Sequence, residues 1–302
     1  MKTIKNTLKR IFSIVMLLSF SYTLIALETP FAGDPAISPD GKTVCFVYCD
    51  DLWLVPFEGG IPRRITNTTC KEWNPQFSPD GKMIAFSSDR DGQSMIYLMP
   101  TEGGISKPVT YESLGLSEWF SDSEHLLCTK YTPRWGISFY KVPIDGSRPV
   151  MIAEVATRFA TLSPDNKQIV FQKGGYSRRE AYRGSANGEL WLLNIETKKY
   201  TKLTNTELSE MYPRFSQTGA LYYCASDGKN LQINKVNKLS FRKPEKITNL
   251  SPFSARDINL ARDNERLVFE YFDTIYKYDP TIKTGEKVSP LYIDLSEDEW
   301  QD

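Results

Sequence analysis

Six copies of one short phrase recur along the chain, and they limit what it can fold into more than any other feature. The clearest copy is Ser78-Pro79-Asp80-Gly81-Lys82 followed by Met83-Ile84-Ala85-Phe86. Close copies are Ser38-Pro39-Asp40-Gly41-Lys42 before Thr43-Val44-Cys45-Phe46, and Ser163-Pro164-Asp165-Asn166-Lys167 before Gln168-Ile169-Val170-Phe171. Weaker ones begin at Ser121, Ser216 and Ala261, and successive copies lie 40, 43, 42, 53 and 45 residues apart. In the Ser-Pro-Asp-Gly copies, proline presets the second position of a turn and glycine accepts the positive φ that follows. An apolar, β-favouring run then begins. A period of this size with strand-turn chemistry in every unit predicts an all-β fold, a six-bladed β-propeller with four antiparallel strands per blade.

Blade two shows the expected order. Trp73–Phe77 is the innermost strand, Met83–Ser88 the second and Ser94–Met99 the third, with Asp89-Arg90-Asp91-Gly92 as the hairpin between the last two. Glu102-Gly103-Gly104 reverses the chain into an outer strand at Lys107-Pro108-Val109-Thr110, and Arg64-Ile65-Thr66, Lys202-Leu203-Thr204 and Lys246-Ile247-Thr248 close other blades in the same way. The 302 residues would suggest two domains by length alone, but a ring of repeats closes as one unit. The propeller is expected over residues 27–293. Residues 32–38 can complete either the first or the last blade. The tail from Asp294 to Asp302 holds five acidic residues in nine and reads as solvated.

The first 26 residues stand apart. Lys2, Lys5, Lys9 and Arg10 precede an apolar run from Ile11 to Ala26, the layout of a secretory signal peptide. The run is shorter than the roughly 18–20 residues a membrane span needs, which sets a cleaved leader and a periplasmic destination against a retained anchor. Removing those four basic residues from 37 leaves 33 against 37 acidic ones, with no concentrated basic face for nucleic acid. Five cysteines (45, 49, 70, 128 and 224) contain no C-x-x-C and read as small buried hydrophobes. Acidic turns such as Asp50-Asp51 and Asp227-Gly228 lack calcium-loop spacing and serve turn hydrogen bonding, so neither metal nor cofactor is expected.

The phrase together with Phe86-Ser87-Ser88-Asp89-Arg90-Asp91-Gly92 resembles the repeats of TolB-like propellers. Asp50-Asp51-Leu52-Trp53, and Tyr182-Arg183-Gly184 before Glu189-Leu190-Trp191, are similar to the N-terminal propeller of tricorn-type serine peptidases. That resemblance covers residues 28–293. It implies a propeller that gates peptides for a catalytic core lying elsewhere, so no catalytic residue carries over to this chain. It also implies proteins or peptides as partners, including a peptidase portion. The other reading is a stand-alone periplasmic scaffold of the TolB-like kind.

Candidate chemistry is sparse. His125, the one histidine, falls in a turn copy and reads as a solvent-facing turn residue rather than the base of a triad. Neither a histidine-rich nor a paired-carboxylate pattern marks a reactive channel. The fourth unit is about ten residues longer than the others, and its excess contains Arg178, Arg179, Tyr182 and Arg183. An inserted rim loop with arginines beside tyrosines is suited to gripping carboxylates and stacking on peptide groups. Against this, Tyr182 and Arg183 can instead pin the loop to a neighbouring blade. The third hairpin offers Arg134 and Trp135 as a contact spot, or a tryptophan folded over the blade edge.

Overall fold

The computed structural model describes residues 31–132, 136–155, 159–175 and 180–295. They form six four-stranded antiparallel sheets, each built from four successive strands, arranged as the blades of a propeller. The innermost strands are Gly33–Ile37, Glu72–Phe77, Gly115–Trp119, Ala160–Leu162, Glu210–Phe215 and Ala255–Leu260. The outermost are Arg63–Arg64, Lys107–Pro108, Val150–Val155, Tyr200–Lys202, Glu245–Lys246 and Val288–Pro290. The segment expected to be a leader, the acidic residues after 295 and four of the candidate residues (Arg134, Trp135, Arg178 and Arg179) lie outside the described residues.

The repeated phrase works as its chemistry predicts. Ser38, Ser78 and Ser163 donate to Asp40, Asp80 and Asp165 at 2.7, 2.6 and 2.6 Å. The same hydroxyls accept the N–H that opens each second strand, from Thr43, Met83 and Gln168, all at 2.9 Å. Gly41, Gly81 and Asn166 hold φ of 70, 72 and 57° and close the turn onto the serine carbonyl. The Ser78 and Ser163 hydroxyls lead the causes that hold the Asp80 and Asp165 carboxyls below the usual range. The closing threonines have a matching role. Thr66, Thr110, Thr204 and Thr248 each accept a buried N–H from the third strand of their own blade. Threonine there caps a backbone donor that the short outer strand leaves unpaired.

Side-chain alternation builds the core. In five of the six copies an aromatic residue ends the phrase (Phe46, Phe86, Phe171, Tyr223, Phe269) and is buried against the preceding blade, whereas Cys45 and Ala85 turn to the following one. The result is one apolar cluster per seam between blades. The seam between blades four and five is the thinnest, with only Val170, Leu190, Leu221, Tyr223 and Val236 buried among the described residues. Cys45, Cys128 and Cys224 are buried as expected, but Cys49 is exposed and Cys70 half-buried. Cys49 sits in the turn after its strand, at φ 50°.

Residues 33–37 belong to blade one, so among the described residues no strand is exchanged between the ends. The ring closes instead through a crossing segment. Gly60 N donates to Tyr292 O at 3.0 Å and Asp294 N to Gly60 O at 2.9 Å, a parallel bridge from the C-terminal side onto blade one. Asp294, the first acidic residue of the tail, is therefore tied to the ring.

Candidate functional site

The innermost strands create the axial site through a repeated irregularity. In blades one, two, five and six the pairing with the second strand slips by a residue, and the extra residue adopts positive φ: Asp34 (48°), Asn74 (52°), Tyr212 (54°) and Asp257 (42°). A bulge re-aims a side chain and frees a backbone donor. Three of the freed N–H groups are claimed by the preceding blade. Asp34 N donates to Glu270 Oε1 (2.8 Å), Asn74 N to Asp34 Oδ2 (2.9 Å) and Tyr212 N to Gln172 Oε1 (3.2 Å). Gln172 and Glu270 occupy the same place, directly after the phrase aromatic. Asp-Pro, Asn-Pro and Tyr-Pro before the serine of the phrase are the sequence trace of these bulges, a signal that the repeat alone did not bring out.

Two cavities lie on the axis, one of about 760 Å³ and one of about 100 Å³, and both are lined by Gln76, Arg214 and Asn259. This waist is polar and cross-braced. Asn259 Nδ2 donates to Gln76 Oε1 at 3.2 Å, Ile37 N to Asn259 Oδ1 at 3.2 Å, and Asn74 Nδ2 to Leu116 O at 2.7 Å. Glu118 accepts Leu162 N at 2.5 Å and the Thr161 hydroxyl at 3.3 Å. Burial pushes the Glu118 carboxyl up, and the charge of Arg214 opposes it.

At the wider cavity, sequence reasoning missed a cluster of three acids. It placed no convergent acids in the pore, yet Asp34, Asp257 and Glu270 bring carboxylate oxygens within 4.8 Å of one another. Burial, then the neighbouring charge of Asp34, raises the Asp257 carboxyl to about 6; burial, then Asp257, raises that of Glu270 to about 7. Asp34 is raised by burial too. Three such oxygens have the chemistry to hold a hard divalent cation. Asp34 and Glu270 already accept backbone N–H groups through Oδ2 and Oε1, and a proton shared between Asp257 and Glu270, which hydrogen-bond each other, satisfies that pair without an ion. No residue pattern revealed the trio, because Asp34 and Glu270 are 236 positions apart and meet only where the ring closes.

The fourth-blade insertion lies between the second and third strands, on the same face as the other hairpins of this type and the carboxylate trio. Among its described residues Glu180 ties it to two other blades: the carboxylate accepts from Arg256 and, at 3.2 Å, from Ser254 of blade six. Its carbonyl accepts from Ser226 of blade five. Tyr182 folds back over Gly184, where any Cβ would collide with its ring. Arg183 donates to Glu207 Oε2 at 3.0 Å in an exposed pair. The described part of the loop thus arches over two blades. Glu180→Ala should speed proteolytic cleavage within 174–188 several-fold while moving the melting temperature by no more than about 2 °C, since the contact is peripheral; cleavage at the unmodified rate would show that the anchor is elsewhere. His125 lies apart from both cavities, with Nδ1 2.8 Å from Asp122 Oδ2 and its ring edge-on to Phe120.

Six sheets around a polar waist, with acids at one mouth and an arching loop on the same face, define a six-bladed propeller of the TolB-like type. The model of the Tricorn protease N-terminal beta propeller domain matches residues 29–284, and the chain belongs to that family. It is 26% identical over 270 residues to a tricorn protease homolog of Saccharolobus solfataricus, covering 85% of this chain and 24% of that one. It is 28% identical over 170 residues to a putative tricorn-like protease N-terminal subunit of Sulfurisphaera tokodaii, covering 51% of this chain and 83% of that one. Among solved structures it is similar to the tricorn protease (TM-score 0.72, 20% identity, 87% of this chain and 26% of the other). It is also similar to a putative TolB from Agrobacterium tumefaciens (TM-score 0.62, 18% identity, 73% and 82%). The chain spans about a quarter or less of the first curated tricorn homologues it matches.

Proposed function

We propose that this chain is a non-catalytic propeller that binds peptides or unfolded protein and passes them to a tricorn-like serine peptidase portion. The observation that carries the reading is the axial site: a cavity of about 760 Å³ narrowing to a waist of Gln76, Arg214 and Asn259. The cavity suits an extended chain, because its wall sets apolar side chains such as Trp73, Leu114, Leu116, Ile137 and Phe159 beside polar ones such as Asn74, Gln76, Arg214 and Asn259. The acids at its mouth favour a peptide amine, and Arg214 favours a carboxylate or carbonyl further in. A relative named as an N-terminal subunit supports a propeller acting on a chain separate from its peptidase partner. Export by the N-terminal segment to the periplasm completes the reading.

The test is fluorescence anisotropy with labelled extended peptides. Arg214→Ala should weaken binding about tenfold, equivalent to one charged hydrogen bond. Equal binding by wild type and variant would remove the channel from the account. The scaffold reading gains if no peptide binds and envelope proteins co-purify with the ring.

A further inference from the structure

Blades two and five are entered by the same words, Ile65-Thr66-Asn67-Thr68 leading to Glu72 and Leu203-Thr204-Asn205-Thr206 leading to Glu210. The structure repeats with the sequence. Thr68 Oγ1 donates to Glu72 Oε1 and Thr206 Oγ1 to Glu210 Oε1. Arg64 pairs with Asp51 in blade one as Lys202 pairs with Glu189 in blade four. Glu72 and Glu210 are 1 and 5% exposed, and each keeps one carboxylate oxygen, Oε2, without a hydrogen-bond partner.

The two seams differ in one side chain. Glu72 lies across from Ser88 and Glu210 across from Ala225, and the hairpins beyond have equal length, so Arg90 matches Asp227. Arg90 reaches into its seam. It bonds Glu72, donates from Nε to Ser88 Oγ (3.0 Å) and from NH1 to Ser106 Oγ (2.5 Å), and lies 4.4 Å from the Tyr97 ring centroid and 5.6 Å from that of Phe86. Asp227 turns away and caps its own hairpin at Lys229 N and Asn230 N. Where the Arg90 side chain would lie there is a cavity of about 610 Å³. Its wall includes Glu210, Tyr223, Ala225, Asn234 and Pro244, the counterparts of Glu72, Phe86, Ser88, Tyr97 and Ser106. No ion pair reaches Glu210 among the described residues. Lys202 is held by Glu189, and Arg183 pairs with Glu207 on the rim at 63% side-chain exposure.

We propose that this cavity between blades four and five is a subsite for a cationic side chain, arginine above all, of a bound polypeptide. The proposal rests on the peptide-binding reading above and names the side chain it selects. The guanidinium would donate to Glu210 and lie against the Tyr223 ring, as Arg90 does against Glu72, Tyr97 and Phe86 in the equivalent seam. Arginine is preferred to lysine because a planar fork satisfies a carboxylate and an aromatic face together. Burial holds the Glu210 carboxyl above its ordinary value, and an entering cation would oppose that shift as Arg90 does at Glu72. The rim belongs to the same face as the arching loop, which places the subsite beside the insertion rather than in the channel.

The probe is N-acetyl-arginine methylamide, with the citrulline compound as its neutral isostere, titrated into the intact chain and followed by amide chemical shifts. The arginine probe should bind at least about tenfold more tightly than citrulline. Glu210→Gln should remove that difference, and so should Asp227→Arg, which supplies the missing side chain internally. Arg90→Ala should create a second site of the same preference at Glu72. Absence of arginine binding, or a preference that survives both Glu210→Gln and Asp227→Arg, overturns the proposal. Labelled peptides that still bind in an Arg214-dependent way would then leave the channel reading standing. Peptides that fail to bind while the arginine preference depends on Glu210 would instead sink the channel and spare the subsite.

Discussion

Replacing Leu291 and Ile293 together by alanine should lower the melting temperature by at least about 8 °C, because these two side chains close the ring. They are 3 and 2% exposed, packed in one cluster with Trp53, Val55 and Phe57 of blade one and Val268 and Ile275 of blade six. Each truncation removes about 2–5 kcal/mol, against the 5–15 kcal/mol by which whole domains are stable. Many rings could absorb such a loss by sharing a sheet between their ends, but here every sheet is a contiguous run of chain. Beyond the apolar cluster this seam is held by polar contacts, among them the two hydrogen bonds at Gly60, Asp34 N on Glu270, Ile37 N on Asn259, the Lys277 ammonium on Phe57 O at 2.7 Å and the Asn264 amide on Asp40 O at 2.8 Å. Hydrogen exchange should therefore rise first at the two ends of the ring, within 33–57 and 255–293, and last in blades three and four. A shift below about 3 °C, or exchange that rises evenly around the ring, would show that the seam is not the weak point.

Stability should fall as pH rises from about 5 to about 7.5, and Glu270→Gln should flatten that fall. The sign follows from the direction of the shifts. The Glu270 and Asp257 carboxyls sit above their ordinary values, at about 7 and about 6, so the folded protein holds protons that the unfolded chain has already released. Their contribution is fully present below the unfolded values and is lost as pH climbs through the folded ones. Arg214 and Arg256 oppose the shift at Asp257, and the Asp34 carboxylate adds to it. Glutamine at 270 keeps an acceptor for Asp34 N and can donate to Asp257, so the seam stays closed while one buried charge disappears. The variant should gain on the order of 1–3 kcal/mol at about pH 7.5 and little at about pH 5, read by chemical denaturation at both values. Parallel pH profiles for wild type and variant would show that the trio does not titrate in this range.

Much of the fold was open to reading because its information is local. Ser-Pro-Asp-Gly carries its own turn within five residues, and the closing threonines cap donors within their own blade, so each repeat could be parsed alone. The bulges were less legible, although an Asp, Asn or Tyr before proline marks three of them. Glu180 escaped notice in a loop where the arginines drew attention, because its partners Ser254 and Arg256 are 74 and 76 residues away. The empty place at Glu210 shows only when two seams are superimposed. Its sequence trace, an aspartate at 227 where the sister hairpin has Arg90, has no meaning until the strands are in register.

By itself the amino-acid sequence determined the number of blades, their strand order and the turn that opens each one, since hydrogen bonds within a few residues specify all three. Only the tertiary structure decided how the ring is shut, which acids share the axial mouth and which seam is left unfilled. The reason is that a propeller brings its first and last blades together through space. Charges that meet there are separated by most of the chain, and their energies depend on burial that no local pattern encodes.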